Sequence, residues 1–400
     1  MAPSQDDRKP LRSGTHLKWA SVLFSIMSPR MTFVTDDIKK IKRRQSFLQI
    51  AGILLLVAFV ITLAMDKRLA HFPDLTDGEG SPTTGTVDAV GEGSIDGGER
   101  GGGRTRLMLV TGTDGRACST TRGAEVLTRS LKNKVDYARL HGIPLYYAME
   151  AFDDAFDIYW VKLPLLKKLM QTHPTIEWFM WVDCDAIFTD MARVVPLDEY
   201  GDYNLVLSGN ATAVFEEPDW LGLNTGGFLL RNCAWSVDLL DATMALGNRY
   251  TTRRDTGLLL NRVLRGRAEA SGDHEWPADD QTTLIYLLAT QPHLWKEKTY
   301  LDTTKMYHNW WVEVAQRLPQ ILPGEDGAPG PSKWRPFISH FTGCKFCNMQ
   351  DADAHEGQVE NCLTTFDRLY RFADDQVLEN FELRHKSVDN EAIEAIEPRA

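Results

Sequence analysis

The chain has 400 residues, of which 43% are hydrophobic, 25% charged and 10% aromatic. These ordinary proportions exclude a chain that is disordered, collagenous or coiled-coil throughout, and a net charge of −11 argues against a nucleic-acid-binding protein. The charge is unevenly distributed, because residues 1–46 carry a net charge of +6 and the remainder of the chain is strongly acidic. This division predicts two environments with a separating segment between them.

The separating segment is residues 47–65, whose only polar members are Gln49 and Thr62. A helix of this length would cover roughly 28 Å, close to the thickness of a bilayer's hydrocarbon core. Its apolarity on all sides argues against a buried helix of a soluble core, and its late start argues against a cleaved signal peptide. Five Lys and Arg residues lie within residues 39–44. The positive-inside rule therefore predicts a single-pass type II protein with a cytoplasmic tail of residues 1–46.

Residues 66–103 are rich in Gly, Ser, Thr, Asp and Pro and contain almost nothing able to form a core. They predict a flexible stem on the far side of the membrane. Residues 104–387 have the length of one large α/β domain, and we expect residues 388–400 to form a C-terminal tail.

Within this domain, strands and helices are predicted to alternate. The pattern predicts strands at 106–111, 144–147 and 177–182, a first helix with Leu127, Leu131, Val135 and Ala138 on one face, and a second helix at 159–172 with Pro164 near its start. This order indicates a mainly parallel sheet with right-handed crossovers. Ligands of such sheets bind at the carboxyl ends of the strands.

Two carboxylates separated by one residue, Asp183 and Asp185, follow the third predicted strand. In an extended or turning segment both can reach one divalent cation, which can stabilise a diphosphate as a leaving group. Two alternatives stay open: a helix cap with a turn Asp, and the nucleophile motif of aspartyl phosphatases. The phosphatase motif normally opens its domain and has Thr or Val where this chain has Ile187.

Three further polar groups are candidates for binding sugar or phosphate. In residues 224–228 (NTGGF) the glycines allow close backbone approach to a ligand and Asn224 can bind hydroxyls, although a plain turn into a strand gives the same pattern. Residues 279–281 (DDQ) precede a predicted helix at 282–290 and can either bind sugar hydroxyls or cap that helix. His340 can complete a Mn²⁺ site and Lys345 can hold a phosphate, although a lone His is more often structural.

The chain has six cysteines, and Cys344 and Cys347 form a Cys-x-x-Cys pair. Because no second pair supports a four-ligand zinc site, disulfides in an oxidising compartment are the simpler interpretation. We expect Cys362 to pair with Cys344 or Cys347, and Cys184 to remain a free thiol. One Asn-x-Thr sequon begins at Asn210, and such tripeptides frequently stay unglycosylated.

Together these residues resemble glycosyltransferase family 34, and most closely the plant xyloglucan α-1,6-xylosyltransferases. The resemblance covers most of residues 104–387. It is carried in family order by LVTG (109–112), LKNKVDY (131–137), RLHG (139–142), KLPL (162–165), WVDCDA (181–186), FTDM (188–191), GLNTG (222–226), ADDQ (278–281), YLLATQ (286–291) and HFTGCK (340–345). The chain departs from the plant pattern at Cys184, usually Ser, and at 210–211 and 309–311. The last two departures bear on sugar identity rather than on metal chemistry.

The resemblance implies an α/β protein with a GT-A fold, which is a Rossmann-like mixed, mainly parallel sheet flanked by helices. It also implies a type II protein of the Golgi membrane and a retaining, Mn²⁺-dependent transfer from a UDP-sugar. It implies that Asp183, Asp185 and His340 hold Mn²⁺ and that Lys345 contacts the diphosphate. Thr111, Gly112 and Thr113 would line the uridine and ribose site, and Asn224, Asp279, Asp280 and Gln281 would surround the transferred sugar and acceptor. The matching phrases also assign Lys162, Cys184, Thr225, Gly226, His308 and Gly343 to substrate binding.

Our hypothesis is a Golgi glycosyltransferase that adds xylose from UDP-xylose in α linkage to the β-1,4-glucan of xyloglucan. The alternatives are an α-galactosyltransferase acting on mannan or another glycan, and a catalytically silent Golgi subunit that organises partner synthases. No residue suggests a nucleophile for double displacement. The acceptor hydroxyl is therefore expected to attack from the face that UDP leaves, with Asp279, Asp280, Gln281 and Lys345 as the catalytic group. Homo-oligomers, or hetero-oligomers with other glycosyltransferases, are compatible with this hypothesis.

Overall fold

The computed structural model describes residues 106–396, except for 114, 151–152, 154, 157, 248, 273, 323–329, 331–333 and 348–355. The predicted cytoplasmic tail, membrane segment and stem lie outside the described residues. In the part of the chain that is described, no helix is both long and apolar enough to cross a membrane.

Strands and helices alternate along the first half of the domain, as the sequence pattern predicts. The strands are β1 (Leu107–Gly112), β2 (Leu145–Ala148), β3 (Trp178–Val182), β4 (Ala186–Phe188), β5 (Leu205–Gly209), β6 (Leu223–Arg231), β7 (Thr299–Asp302), β8 (Asn309–Trp310), β9 (Ile338–His340), β10 (Leu383–Ser387) and β11 (Asn390–Ala395). The helices are α1 (Thr121–Leu140), α2 (Lys162–Thr172), α3 (Ala234–Ala245), α4 (Tyr250–Val263), α5 (Arg267–Ser271), α6 (Asp280–Thr290), α7 (Pro292–Trp295), α8 (Trp311–Ala315), α9 (Leu318–Ile321) and α10 (Glu356–Leu378).

A six-stranded sheet in the order β2-β1-β3-β6-β5-β7 forms the centre of the domain. Strand β1 runs parallel to β2 and β3, and β5 runs parallel to β7. The mixed α/β sheet flanked by helices is thus confirmed, but β6, which pairs antiparallel with β3 and β5, did not follow from the sequence pattern. Strands β1 and β3 are buried along their whole lengths, as expected for strands covered on both faces. Because β1 and β3 run parallel, their carboxyl ends lie at the same edge of the sheet.

A smaller sheet, in the order β4-β9-β8, adjoins this edge. Strand β4 pairs antiparallel with β9 in a register that sets Ala186 opposite His340. The N–H of Phe341 also donates to the carbonyl of Asp185 at 2.9 Å. The register thus brings His340 beside a carboxylate that lies 155 residues earlier in the chain.

Helix α1 is oriented differently from the sequence prediction. Leu127, Leu131 and Val135 were expected to face the core, but they are only half-buried. The buried face consists instead of Gly123, Val126, Ser130, Asn133, Lys134, Tyr137 and Ala138. The reason is that one edge of β4 faces α1, so its backbone groups need hydrogen-bond partners that aliphatic side chains cannot provide.

The C-terminal part of the domain is more ordered than expected. The predicted tail at 388–400 is corrected over residues 390–395, where β11 pairs antiparallel with β10 in a hairpin, and residues 397–400 lie outside the described residues. Cys362 on α10 pairs with Cys344, one of the two expected partners. A second disulfide, Cys118–Cys347, was not predicted, and Cys184 is a free thiol as expected.

Candidate active site

Asp183, Asp185 and His340 converge just beyond the carboxyl end of β3. Their ligand atoms all lie within 4.8 Å of one another. The Nε2 atom of His340 is 3.1 Å from an Asp185 oxygen and 3.8 Å from an Asp183 oxygen. Burial alone would lower the pKa of His340, but these two carboxylates outweigh it and raise the pKa. Two carboxylates and an imidazole form a donor set that suits Mn²⁺. The structure therefore brings together the three metal ligands expected from the sequence.

A second histidine orients the first. His308, which the resemblance assigned to substrate binding, lies against His340, with their Nδ1 atoms 2.9 Å apart. Burial, assisted by the neighbouring His340, lowers the pKa of His308 well below its ordinary value. A neutral His308 can accept a hydrogen bond from Nδ1–H of His340, which leaves His340 Nε2 free to bind a metal.

Gly226 makes room for that imidazole. A Cβ at this position would lie 2.0 Å from Cε1 of His340, and one at Gly227 would lie 2.3 Å from the carbonyl oxygen of Tyr307. These glycines were expected to admit a ligand, but here they admit parts of the protein itself. They also lie inside β6 rather than in a turn before it.

Helix α1 holds the segment that carries the two Asp residues. The hydroxyl of Ser130 donates to the carbonyl of Cys184 at 2.6 Å. Lys134 donates to the Ser130 hydroxyl at 2.7 Å and to the carbonyl of Ala186 at 2.5 Å. Burial lowers the pKa of Lys134 to about 8. Burial and both Asp residues raise the pKa of the Cys184 thiol to about 12, so Cys184 contributes a backbone carbonyl here and stays protonated.

Asn133 completes this support one residue earlier on α1. Its side-chain amide donates to the carbonyl of Phe188 and accepts from the Phe188 N–H, both at 2.8 Å. It thus pairs with β4 as a neighbouring strand would. Sequence reasoning missed Ser130, Asn133 and Lys134 as site-supporting residues. The available signal was a set of polar residues at helical spacing on one face of a buried helix.

Lys162 lies beneath the site and joins two of its carboxylates. Its ammonium group is 3.3 Å from Asp183 and 3.0 Å from Asp280, and it donates to the carbonyl of Thr225 at 3.0 Å. Burial would lower the pKa of Lys162, but the two carboxylates raise it overall. The resemblance assigned Lys162 to substrate binding, but with only 3% of its surface exposed Lys162 is a buried counter-ion.

The neighbouring residues Asp279 and Asp280 have different roles: Asp279 caps a helix and Asp280 is a buried carboxylate. Asp279 accepts from the Thr282 N–H at 2.7 Å and so caps α6, which was one of the two sequence interpretations. Its side chain remains half-buried. Asp280 is buried, and burial raises its pKa although Lys162 opposes the shift.

Two amides link β6 to α6 at the same place. Asn224 donates to the side-chain oxygen of Gln281 at 3.1 Å and accepts from the Gly226 N–H at 2.8 Å. Gln281 in turn donates to the carbonyl of Trp220 at 3.2 Å. Each amide nitrogen carries a second N–H beyond these bonds, which suits contact with a sugar oxygen.

The expected nucleotide-binding residues lie at the end of β1. Thr111 is 1% exposed, and its hydroxyl has no hydrogen-bond partner among the described residues. A Cβ on Gly112 would lie 2.7 Å from Ala148, so this glycine lets β1 and β2 pack closely. Thr113 accepts from the Gly115 N–H at 3.3 Å.

Lys345 lies in a short loop that is fixed at both ends. Its side chain is exposed and its φ is +44°, while Gly343 before it has a φ of +88°. The flanking Cys344 and Cys347 form the two disulfides, to α10 and to the segment before α1. Ser119 donates from its N–H (2.8 Å) and its hydroxyl (2.5 Å) to the Cys347 carbonyl. A non-glycine residue persists in this conformation only when its surroundings hold it there.

The model of the galactosyl transferase GMA12/MNN10 family matches residues 103–351. Probable glycosyltransferase 2 of Oryza sativa subsp. indica is 39% identical over 295 residues, which cover 74% of this chain and 59% of that protein. Xyloglucan 6-xylosyltransferase 1 of Arabidopsis thaliana is 39% identical over 290 residues, covering 72% of this chain and 61% of that protein. The matched region thus spans about three-fifths of the length of these curated relatives.

Among solved structures, a glycosyltransferase involved in the glycosylation of the major capsid of PBCV-1 overlaps with 62% of this chain and 99% of that chain. The identity is 10% and the TM-score is 0.37. By itself this overlap assigns neither fold nor function.

Proposed function

The chain belongs to the galactosyl transferase GMA12/MNN10 family, and from that premise we propose that it is a retaining glycosyltransferase of GT-A architecture. Its donor is UDP-xylose, and its acceptor is the β-1,4-glucan of xyloglucan, which receives the sugar in α linkage. Relatives that are named xyloglucan 6-xylosyltransferase, 39% identical over nearly three-quarters of the chain, support this choice of sugar and acceptor. The observation that carries the proposal is the convergence of Asp183, Asp185 and His340 at the end of a buried strand.

Asp183, Asp185 and His340 would hold a divalent metal ion, for which Mn²⁺ fits the donor set. When bound, the ion supplies positive charge that stabilises a departing diphosphate.

The remaining steps use the chain's own side chains. Lys345, exposed on a fixed loop, provides a second positive charge for the diphosphate. Asn224 and Gln281 hold each other in place, and the second N–H of each amide can bind hydroxyls of the transferred sugar or the acceptor. Asp279 keeps one carboxylate oxygen beyond its capping bond, and that oxygen can orient the acceptor hydroxyl. These groups suit an attack from the face that UDP leaves.

We further propose that residues 47–65 anchor the enzyme in the Golgi membrane with a type II orientation. The support is the apolar segment itself and the cluster of basic residues before it. Protease protection in Golgi vesicles, with epitope tags at both termini, would test this placement. The C-terminal tag should be protected until detergent is added. Its digestion without detergent would contradict the type II orientation.

Turnover by the full chain in detergent tests the proposed reaction. With Mn²⁺ and cellohexaose, transfer from UDP-xylose should exceed transfer from UDP-galactose, UDP-glucose and UDP-N-acetylglucosamine, and EDTA should abolish it. A preference for UDP-galactose with mannohexaose would replace the proposed donor and acceptor. Tight UDP binding without transfer from any donor would instead favour a catalytically silent subunit.

Two variants test the metal ligands. Asp185→Asn and His340→Ala should each lose Mn²⁺-dependent transfer while circular dichroism shows a folded protein. Near-normal rates in either variant would remove that residue from the metal site.

A further inference from the structure

Two tryptophans form a partly exposed aromatic pair beside the Asn224–Gln281 link. The ring centroids of Trp220 and Trp276 are 5.8 Å apart, and the ring planes are inclined at 55°. Trp276 is 38% exposed and Trp220 is half-buried. A single exposed apolar side chain is common on a protein surface, but adjoining exposed aromatic rings beside polar groups are typical of a ligand-binding groove.

Both tryptophans are tied to residues of the candidate active site. The carbonyl of Trp220 accepts from the side chain of Gln281 at 3.2 Å, and Gln281 accepts from Asn224. Trp276 lies three residues before Asp279, the cap of α6. The aromatic pair is therefore continuous with the groups that we assign to the sugar substrates.

The loop that exposes Trp276 has a fixed backbone. Arg267 is completely buried, and its guanidinium donates to the carbonyls of Trp276 at 3.2 Å and Pro277 at 3.0 Å. The indole N–H of Trp160 donates to the next carbonyl, that of Ala278, at 3.1 Å. Burying a guanidinium is costly, and here it serves to hold a loop whose aromatic side chain faces water. A partly exposed ring on a fixed backbone is suited to binding a ligand.

The position in the sheet separates this aromatic pair from the nucleotide. Thr111–Thr113 lie at the end of β1, whereas Trp220 leads into β6, and β3 lies between these two strands. The occupant is therefore the acceptor rather than the donor base. Sugar rings present apolar C–H faces together with hydroxyls, and aromatic rings flanked by amides and carboxylates recognise both.

We propose that Trp220 and Trp276 form a stacking platform for the acceptor, a neutral β-linked glucan chain whose target hydroxyl is thereby directed toward Asp279 and Gln281. This proposal rests on the proposed function, because it specifies the acceptor subsite of the same active site. The platform adds to the proposed function, because it assigns acceptor affinity to two residues that are neither proposed metal ligands nor diphosphate contacts.

Acceptor kinetics and direct binding test the platform. In the full chain, Trp276→Ala and Trp220→Ala should each raise the KM for cellohexaose about 10-fold, the effect of losing one aromatic stacking contact. The KM for UDP-xylose and the acceptor-independent hydrolysis of UDP-xylose should stay within twofold of wild type. Trp276→Phe should retain most of the affinity. Phe381→Ala, which removes a ring that is 69% exposed on the turn after α10, serves as the matched control.

The outcomes separate this proposal from the proposed function. Calorimetric binding of cellohexaose in the presence of UDP needs no turnover. Wild-type binding that is lost in Trp276→Ala therefore supports the platform even if the donor is not UDP-xylose. An unchanged cellohexaose affinity in both alanine variants overturns the platform, as does a wild-type chain that fails to bind the glucan. A changed sedimentation coefficient with unchanged glucan affinity assigns the pair to contacts between copies of the chain.

Discussion

The imidazole of His340 occupies the space that a side chain at Gly226 would fill. A Cβ at Gly226 would lie 2.0 Å from Cε1, 2.5 Å from Nδ1 and 2.9 Å from Nε2 of that ring. Gly226 also fixes the neighbouring ligand, because its carbonyl accepts from the Asp183 N–H at 2.7 Å. One glycine of β6 thus sets the positions of two of the three proposed metal ligands, which come from distant parts of the chain.

Gly226→Ala should therefore displace His340 and weaken metal binding. Contacts this short cannot be absorbed by small shifts of a buried ring, so we expect the dissociation constant for Mn²⁺ to rise at least about 10-fold. Titration of Mn²⁺ followed by electron paramagnetic resonance measures this directly. Gly201→Ala is the control, since the nearest atom to its added Cβ is 3.8 Å away. Equal Mn²⁺ affinity in the two variants would contradict the packing argument.

Lys162→Met should destabilise the fold through the carboxylates it leaves behind. Asp280 is 4% exposed and would lose its positive partner, and Asp183 would lose one as well. Removing one member of a buried ion pair costs about 3–5 kcal/mol, measured as the change in the free energy of unfolding in urea. The double variant Lys162→Met/Asp280→Asn should recover part of this loss, because Asn carries no charge. A double variant as unstable as the single one would show that Asp280 is not the group that Lys162 neutralises.

The sequence predicts the two carboxylates of the site better than it predicts the position of the histidine. Asp183 and Asp185 were predictable because an apolar run places them directly after a buried strand, where ligands of such sheets bind. The position of His340 depends on the register of β4 and β9, which no local pattern encodes. Its imidazole made His340 a candidate Mn²⁺ ligand, and the family resemblance paired it with Asp183 and Asp185.

The supporting residues on α1 were missed for a different reason. Helical periodicity assigns apolar residues to the core, so Leu127 and Leu131 were chosen over Ser130 and Lys134. The buried polar face of α1 exists because the edge of β4 needs donors and acceptors, which is a tertiary requirement. The same limit applies to Gly226, since a sequence shows that a glycine leaves space but not which group fills it.

The two disulfides around Lys345 should control affinity for the diphosphate. Cys118→Ser leaves Cys347 without its covalent partner, and the strained φ of Lys345 then has fewer contacts that maintain it. We expect the dissociation constant for UDP to rise several-fold, with Mn²⁺ affinity changed less. Calorimetry with UDP on the full chain provides the measurement. Cys233→Ser, which removes a free thiol, should leave both constants unchanged. Unaltered UDP affinity in Cys118→Ser would show that the loop holds Lys345 without this disulfide.

The buried Lys134 should make stability depend on pH in a defined direction. Burial lowers its pKa from 10.5 to about 8, so between these pH values the unfolded chain binds a proton that the folded chain has lost. Stability therefore rises with pH across that window, and the full penalty of about 3 kcal/mol applies only below pH 8. Urea unfolding in EDTA should show wild type gaining about 2 kcal/mol relative to Lys134→Met between pH 8 and pH 9.5. Lys132→Met, at an exposed position on the same helix, should show no such gain over this range. If the difference in the free energy of unfolding between wild type and Lys134→Met did not change with pH, Lys134 would have an ordinary pKa in the fold. The carboxylates of Asp183 and Asp185 would then offset the effect of burial on its ammonium group.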